Sequence, residues 1–493
     1  MTDSIKKETG LLLKHASIYG MAPVIGRMVS FFMIPLYTAF ITPTEYGIME
    51  LVNVVISLLQ TVIGMGIVSG ISVFYFETDN EEERNKVVSS AFVGLGGLAF
   101  GSIIILMFFS SMLAEYVLDS ASLAKYFYVS FASMGFAILN DINTNYFRIN
   151  KKSKLVVIIS LSTLIVNVLL NILFLVYLDT GVWGIFLSAL IVAVASFVIV
   201  TPMIYRKIGF NVSLEVVKKL IKFGLPLIPS NLAAYLVVAS DRLFIKQYVS
   251  IAETGLYSLG YKFGVLVNNF VTTPFNQIWG PRRLEMFKKG NSEAIFCRIF
   301  TYYTFVLIMG GLVISVLSRE IVHLMADEAY WDSYKIIPLI TLAHIVFSFF
   351  YHFNVGIMVE KKTKFFAYIN IMNAIINLIL NYFLIRAYGI WGAGFATLIS
   401  YFLRTALCYY YSNKLHKIHV EWLRVLILIG GGIAYYYAID FIHIANIFIS
   451  APLKVFLALT FPLVLYIFGF FYTEEKDEFF KMVGQLKTKL VGK

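Results

Sequence analysis

The sequence has few charged residues for its length. Asp, Glu, Lys and Arg make up 14% of its 493 residues, whereas hydrophobic residues make up 59%. A soluble globular protein carries about 25% charged residues. This chain therefore has too little polar surface to solvate a water-soluble fold of its size. The composition excludes a cytosolic enzyme, a nucleic-acid-binding module and a secreted domain.

Features of common catalytic and metal sites are also missing. The two cysteines, Cys297 and Cys408, show no CxxC spacing and have no neighbouring histidine, so we expect neither a disulfide framework nor a metal site. No GxxxxGK[ST] loop indicates direct use of ATP. No segment between the apolar runs is long enough for a folded domain. We therefore expect a protein that is not an enzyme and has no cofactor.

Long apolar runs dominate the chain. A helix needs about 20 mostly apolar residues to cross a bilayer. The first run is too long for the apolar core of a signal peptide, so we expect it to be retained as a span. The pattern predicts an all-α polytopic membrane protein with 14 transmembrane helices. They lie near residues 16–40, 47–75, 87–112, 125–147, 155–177, 183–205, 225–248, 255–279, 295–317, 336–358, 365–386, 391–412, 422–441 and 453–472.

The basic residues indicate how the chain is oriented. The formal net charge is +11, from 40 Lys and Arg against 29 Asp and Glu. With a cytoplasmic N-terminus, 30 cations fall in inside segments and six in outside segments. Lys and Arg accumulate in cytoplasmic loops, so both termini are predicted to be cytoplasmic. Membrane topology thus explains most of the positive excess, and we expect no nucleic-acid partner.

An internal duplication divides the chain at a shift of 208–210 residues. Six spans in each copy give both copies the same orientation, as in transporters with parallel repeats. We predict a first lobe at 1–210, a cytoplasmic amphipathic connector at 211–224, a second lobe at 225–415, and two further helices with a cytoplasmic tail at 416–493. Matching positions include Glu45 with Glu253, Gly47 with Gly255, Lys151 with Lys361, Asn167 with Asn377, Asn171 with Asn381, and Gly181 with Gly389.

Four cations lie within the apolar runs, where a charge costs about 2.5–3.5 kcal/mol on insertion scales. Two explanations stay open: pairing with a buried acid that fixes helix contacts, or binding of an anionic ligand along a transport path. Arginine suits the second, since its planar fork matches phosphate. None of the four has a charged partner in the other repeat. The cations are Arg27, Arg242, Lys262 and Arg404, and the candidate protonation sites are Asp141, Glu50 and Asp241.

Several short motifs resemble polysaccharide exporters of the Wzx type, in the multidrug/oligosaccharidyl-lipid/polysaccharide (MOP) exporter superfamily. The resemblance covers essentially the whole chain. It implies two six-helix lobes in a V around a central cationic cavity, with Arg27 and Arg242 as head-group ligands; Lys262 and Arg404 are added from their depth. The motifs are HASIYG at 15–20, GR at 26–27, TPTEYG at 42–47, ASDRLFI at 239–245 and ETGLYS at 253–258.

The resemblance implies a flippase in the bacterial cytoplasmic (inner) membrane. It would move polyprenyl (undecaprenyl)-pyrophosphate-linked oligosaccharides from the inner to the outer leaflet by alternating access, for O-antigen, capsule or exopolysaccharide. Its partners would be this substrate, the bilayer and other polysaccharide assembly proteins, and H+ or Na+ could couple transport. Alternatives are a lipid II flippase, a multidrug or cation antiporter, and a scaffold subunit of a polysaccharide assembly complex.

Overall fold

The computed structural model describes residues 26, 29–64, 66–288, 293–442, 444, 446–477 and 481, and within them every regular element is helical. The chain forms two compact units. The first comprises Met1–Lys262, Met325–Ser333 and Phe366–Ser400, and the second comprises Phe263–Leu324, Tyr334–Phe365 and Tyr401–Lys493. The lobe and connector boundaries given above stay predictions.

The α-helices are numbered in chain order. The earlier ones are α1 Ile34–Phe40, α2 Pro43–Ile63, α3 Ile67–Tyr75, α4 Glu81–Phe108, α5 Ser110–Leu118, α6 Ala124–Ile149, α7 Ser153–Ile172, α8 Val182–Ile208, α9 Leu214–Gly224, α10 Ile228–Tyr248 and α11 Ile251–Gly264. The later ones are α12 Thr273–Lys288, α13 Glu293–Val316, α14 Ser318–Met325, α15 Ile337–Phe353, α16 Val355–Val359, α17 Lys364–Leu415, α18 Trp422–Asp440, α19 Ile447–Leu459 and α20 Phe461–Ile467. Short 3₁₀ segments lie at Ala121–Leu123, Leu225–Leu227 and Glu328–Ile336, and π-helical turns at Leu173–Tyr177 and Asn268–Thr272.

Eleven helical segments in the described part of the chain are long and apolar enough to cross a membrane. One of them, α17, contains two predicted spans that meet at Gly389, where φ is 57°. The predicted span at 255–279 is interrupted between α11 and α12 by the π-helical turn. The first predicted run is represented by Val29–Phe40, since its other residues fall almost entirely outside the described ranges. The multi-helix membrane fold is confirmed, and the count of 14 stays a prediction.

Helix α2 begins with a capping box. The Thr42 hydroxyl accepts a hydrogen bond from the Glu45 amide at 3.3 Å, and the Glu45 carboxylate accepts one from the Thr42 amide at 2.9 Å. Pro43 occupies the first helical turn, where its missing N–H leaves no bond unmade. Such a cap stabilises a helix by about 1 kcal/mol. The TPTEYG motif therefore fixes the start of the helix that carries Glu50.

The duplication is visible in the backbone. Lys151 and Lys361, at matching positions, have φ values of 56° and 54°. Gly181 and Gly389 also match, and both have a φ of 57°. Left-handed backbone is unfavourable for a lysine because its Cβ crowds the following carbonyl. The same unfavourable turn at equivalent points of both copies supports an ancestral duplication.

The short basic helix expected before the second copy is α9. Its apolar face contacts α3 and α4, with Leu220 and Phe223 against Gly70 and Val217 against Gly94. The exposed face carries Lys218, Lys219 and Lys222. One face of this helix is thus covered and the other carries lysines. Its place on the cytoplasmic side remains a prediction.

A buried ion pair joins α14 to α19 in the second unit. The Lys454 ammonium lies 2.7 Å from the Glu320 carboxylate, and the Ser450 hydroxyl donates to it at 2.6 Å. Burial by itself raises the pKa of Glu320, but these two donors outweigh burial and hold the pKa below its ordinary value. The ion pair bridges two helices across buried surface.

Candidate functional site

One carboxylate in the first unit holds two of the predicted cations. Glu50 on α2 lies 2.8 Å from the Lys262 ammonium on α11 and 3.5 Å from Nε of Arg242 on α10. Three helices thus meet at one acid, whose side chain is 11% exposed. Glu50 has one negative charge and contacts two cations, and Asp241 also acts on Arg242 electrostatically without forming an ion pair with it. The sequence left two explanations open for these cations, and the structure shows the first, pairing with a buried acid. Glu50 can neutralise only one of the two cations that it contacts.

Aromatic side chains surround this cluster. The Lys262 ammonium donates to the Tyr46 hydroxyl at 2.6 Å and lies 4.8 Å from the centre of that ring. The Arg242 guanidinium lies 5.0 Å from the Tyr261 ring centre and donates to the Val238 carbonyl at 2.9 Å. Cation–π contacts of this kind stabilise a desolvated cation. The side chain of Lys262 is 39% exposed and that of Arg242 is 9% exposed, so Lys262 is the accessible cation.

Asp241 is adjacent to Arg242 in sequence but belongs to a different network. Its fully buried carboxylate accepts hydrogen bonds from Tyr257 at 2.6 Å, Asn381 at 2.8 Å and Thr397 at 3.0 Å. No ion pair neutralises it within the described residues. The network therefore holds a carboxylate by neutral donors alone, in the interior of a membrane fold. Ser240 extends it to Asn377 at 3.1 Å.

Asp141, another candidate of the first repeat, is not part of this cluster. Asp141 lies on an exposed face of α6, near Gln60 and within electrostatic range of Arg148. Arg27 falls outside the described residues. No group of three or more His, Cys, Asp or Glu side chains suited to a metal ion occurs in the part of the chain that the structure describes.

Arg404 lies in the second unit, among aromatic rings. Its guanidinium is 4.0 Å from the Phe350 ring centre and 4.8 Å from that of Phe347. Its Nε is buried without a hydrogen-bond partner, and among the described residues it forms no ion pair. Its electrostatic neighbours are Tyr401, Tyr351 and Cys408. Arg404 therefore carries its charge without a protein counter-charge in the described structure.

The sequence did not single out Arg283, a buried arginine of this unit. Arg283 was counted among the cytoplasmic cations that set topology, but only 6% of it is exposed. The helical period could have indicated its burial, because Arg283 lies four residues after Trp279 and therefore on the same face of α12. Trp279 is also buried, whereas Arg282 is exposed and pairs with Glu285 at 3.1 Å.

Solved transporter structures share this fold. The lipid II flippase MurJ, in an inward closed conformation, aligns over 91% of this chain and 98% of its own with a TM-score of 0.74 and 15% identity. An inward-facing multidrug resistance MATE family transporter of the MOP superfamily aligns over 83% of this chain and 99% of its own, with a TM-score of 0.63 and 14% identity. The Vibrio cholerae MATE transporter VcmN in its bent form aligns over 86% and 99%, with a TM-score of 0.53 and 16% identity. The MOP-type fold expected from the sequence is thus confirmed.

Sequence comparison points to the same group of proteins. No curated protein sequence matches this chain significantly. The family described as polysaccharide biosynthesis protein matches residues 36–288, which is just over half of the chain and includes Glu50, Arg242 and Lys262. The resemblance to polysaccharide exporters that the short motifs indicated is therefore confirmed. The chain belongs to the polysaccharide biosynthesis protein family and has the helical fold of MOP transporters.

Proposed function

We propose that the protein is a flippase that moves polyprenyl-pyrophosphate-linked oligosaccharide repeat units from the inner to the outer leaflet of the bacterial cytoplasmic membrane. One observation carries the proposal: a chain of the polysaccharide biosynthesis family has the fold of a transporter. A transporter fold favours movement of a sugar precursor over its synthesis. Alternating access between the two leaflets is the matching mechanism for such a fold.

The charges support an anionic substrate. Arg404 has no ion-pair partner among the described residues, and Glu50 contacts two cations but can neutralise only one of them. Guanidinium and ammonium groups repel organic cations and bind phosphate by charge-assisted hydrogen bonds. This argues against the antiporter of drugs or cations. A lipid II flippase would use the same head-group chemistry, and the family match favours the polysaccharide precursor over it.

Each predicted cation has a distinct proposed role. Arg404 offers an unpaired guanidinium to the pyrophosphate, and Lys262 is the accessible cation of the Glu50 cluster. Arg242 is held by Glu50 and the Val238 carbonyl, so we assign it to positioning and to the local positive potential. Arg27 is proposed as a further ligand from its motif alone.

We propose that Asp241 is the residue through which H+ or Na+ couples to transport. Its carboxylate is fully buried and accepts hydrogen bonds from neutral donors only, so binding a proton or a cation there would change its hydrogen bonds with α11 and α17. Glu50 is already engaged by two cations, and Asp141 is exposed, which makes both weaker candidates. Asp241→Asn should remove the response of transport to an imposed pH or Na+ gradient.

The decisive experiment reconstitutes the protein in liposomes with a fluorescent polyprenyl-pyrophosphate oligosaccharide in the membrane. Wild-type protein should expose the label to a quencher that cannot enter the vesicles. Arg404→Ala should lower this rate at least tenfold with unchanged protein incorporation, because loss of a charge-assisted contact costs about 1.5–3 kcal/mol. Arg386→Ala, which removes an exposed arginine of the same helix, is the control.

Contrary outcomes separate the alternatives. Absence of flipping by the wild-type protein, together with efflux of organic cations, would favour the antiporter. A normal flipping rate in Arg404→Ala would refute its role in binding the head group. A wild-type protein that moves neither class of substrate but binds other assembly proteins would favour the scaffold.

A further inference from the structure

Arg283 has few acceptors around its guanidinium. The described contacts of the side chain are a hydrogen bond to the Tyr351 carbonyl oxygen and a 3.1 Å contact with the sulfur of Met358. A thioether is a weak acceptor. The Nε of Arg283 is buried with no partner. Among the described residues, this buried arginine therefore has one oxygen acceptor for a guanidinium that carries five N–H donors.

Arg283 and Arg404 belong to the same part of the second unit. Both act electrostatically on Cys408, which lies one helical turn after Arg404 on α17. Both also contact helix α15: Arg283 donates to the Tyr351 carbonyl, and the Arg404 guanidinium lies 4.0 Å from the Phe350 ring centre. Neither arginine forms an ion pair with any described carboxylate. Two positive charges thus lie near one another without compensation from the described residues.

The neighbouring side chains offer no negatively charged acceptor: Trp279 is a donor only, and a neutral His352 has one donor and one acceptor nitrogen. The indole Nε1 of Trp279 is buried without a partner, and so are both ring nitrogens of His352. His352 stacks on Trp279 with ring centres 5.9 Å apart, and it lies within electrostatic range of Arg283. Buried donors without acceptors are costly, and an uncompensated buried charge costs more. The shortage is of negatively charged acceptor oxygens.

We propose that Arg283 and Arg404 together bind one phosphate-bearing anion within the second unit. A pyrophosphate suits the site better than a carboxylate, because it offers more acceptor oxygens and carries more negative charge for two planar forks. This inference rests on the proposed function for the identity of the natural ligand, which would be the pyrophosphate of the lipid-linked oligosaccharide. Arg283 lies near the end of α12 that the predicted topology places toward the cytoplasm, so it would receive the head group from the inner leaflet.

The test measures binding to the purified full-length protein in detergent. The probes are geranylgeranyl pyrophosphate, inorganic pyrophosphate and the corresponding alcohol, geranylgeraniol, which separate the lipid from the free anion and from the chain alone. Wild-type protein should bind both pyrophosphates more tightly than the alcohol. Arg283→Gln should weaken binding of both about tenfold or more, and Arg283→Lys, which keeps the charge and loses the fork, should lie in between. Arg282→Gln removes the neighbouring exposed arginine and should bind as the wild type does.

Equal affinity of Arg283→Gln and wild type would overturn the site, as would an equal loss in Arg282→Gln or tight binding of the alcohol. If Arg283→Gln elutes as aggregate, Arg283→Lys decides: a clear loss of affinity supports the site, and wild-type affinity overturns it. The liposome assay keeps the two proposals distinct. Wild-type binding of pyrophosphate without flipping would refute the flippase and leave the site, whereas flipping with unaltered binding in Arg283→Gln would refute the site and leave the flippase.

Discussion

At the scale of single residues, the balance between charge and counter-charge is the main feature of this protein. Glu50 neutralises one of the two cations that it contacts, Arg242 and Lys262. A buried ion pair contributes little net stability, but removal of one partner leaves a buried charge that costs about 3–5 kcal/mol. Glu50 is therefore expected to hold three helices together by its contacts with both cations.

A double-mutant cycle can measure this coupling. Glu50→Gln should lower the melting temperature strongly, because Arg242 and Lys262 then repel each other without a counter-charge. Lys262→Met should destabilise less, since the Glu50–Arg242 pair remains. The double variant should be more stable than the sum of the two single effects predicts. Thermal unfolding of the purified protein provides the measurement, and strict additivity would show that the contact is not energetically coupled.

At the scale of helices, the duplicated glycines explain how the starts of α2 and α11 approach each other. A Cβ at Gly47 would collide with the backbone carbonyl of Ile251, and a Cβ at Gly255 would collide with that of Pro43. The two glycines occupy matching positions of the repeat and pack reciprocally. Backbone carbonyls cannot move aside as flexible side chains do, so only glycine fits. This contact brings Tyr46 and Glu50 of α2 to Lys262 of α11.

Gly255→Ala should consequently destabilise the protein by about 1–3 kcal/mol, the usual cost of forcing atoms into a packed contact. Thermal unfolding in detergent measures the loss. Gly97→Ala is the matched control, because Gly97 lies within α4 with open space around its Cα. That change should stabilise slightly, by about 0.5–1 kcal/mol, through its higher helix propensity. Similar stability of the two variants would mean that the helices can separate without cost.

At the scale of the whole molecule, the charge asymmetry of the loops predicts one orientation in the membrane. Ser122 lies in a predicted outside loop and Thr363 in a predicted inside loop, and both are exposed. The chain has only two cysteines, Cys297 and Cys408, so a cysteine-free background is easily made.

In that background, Ser122→Cys should react with a membrane-impermeant maleimide in intact cells lacking an outer-membrane barrier. Thr363→Cys should react only after the cells are opened. The physical reason is the excess of lysine and arginine in the predicted cytoplasmic loops. Labelling in the reverse order would overturn the predicted orientation and also the proposed direction of transport.

Much of the fold follows from local patterns. Apolar runs of about 20 residues predict the membrane helices, and the TPTEYG motif marks the start of α2. The matching loops indicate the duplication, and Lys151 and Lys361 have the same unusual backbone angle at equivalent positions. The site was predicted less completely. The sequence identified Glu50, Arg242 and Lys262 as unusual, but it left open which acid meets which cation. The sequence analysis counted Arg283 among the cytoplasmic cations that orient the protein. Hydropathy does not show which residues at a polar helix end are buried by other helices.

The sequence by itself determined that this is a helical membrane protein with a duplicated core, because apolar length and helical period are local properties of a chain in a bilayer. It also determined which few charges need an explanation, since each is expensive inside an apolar run. Only the tertiary structure decided that Glu50 joins Arg242 and Lys262, whereas Arg404 and Arg283 have no acid partner among the described residues. The partner of a buried charge lies far away in sequence, 212 positions between Glu50 and Lys262, and helix packing alone brings the two together.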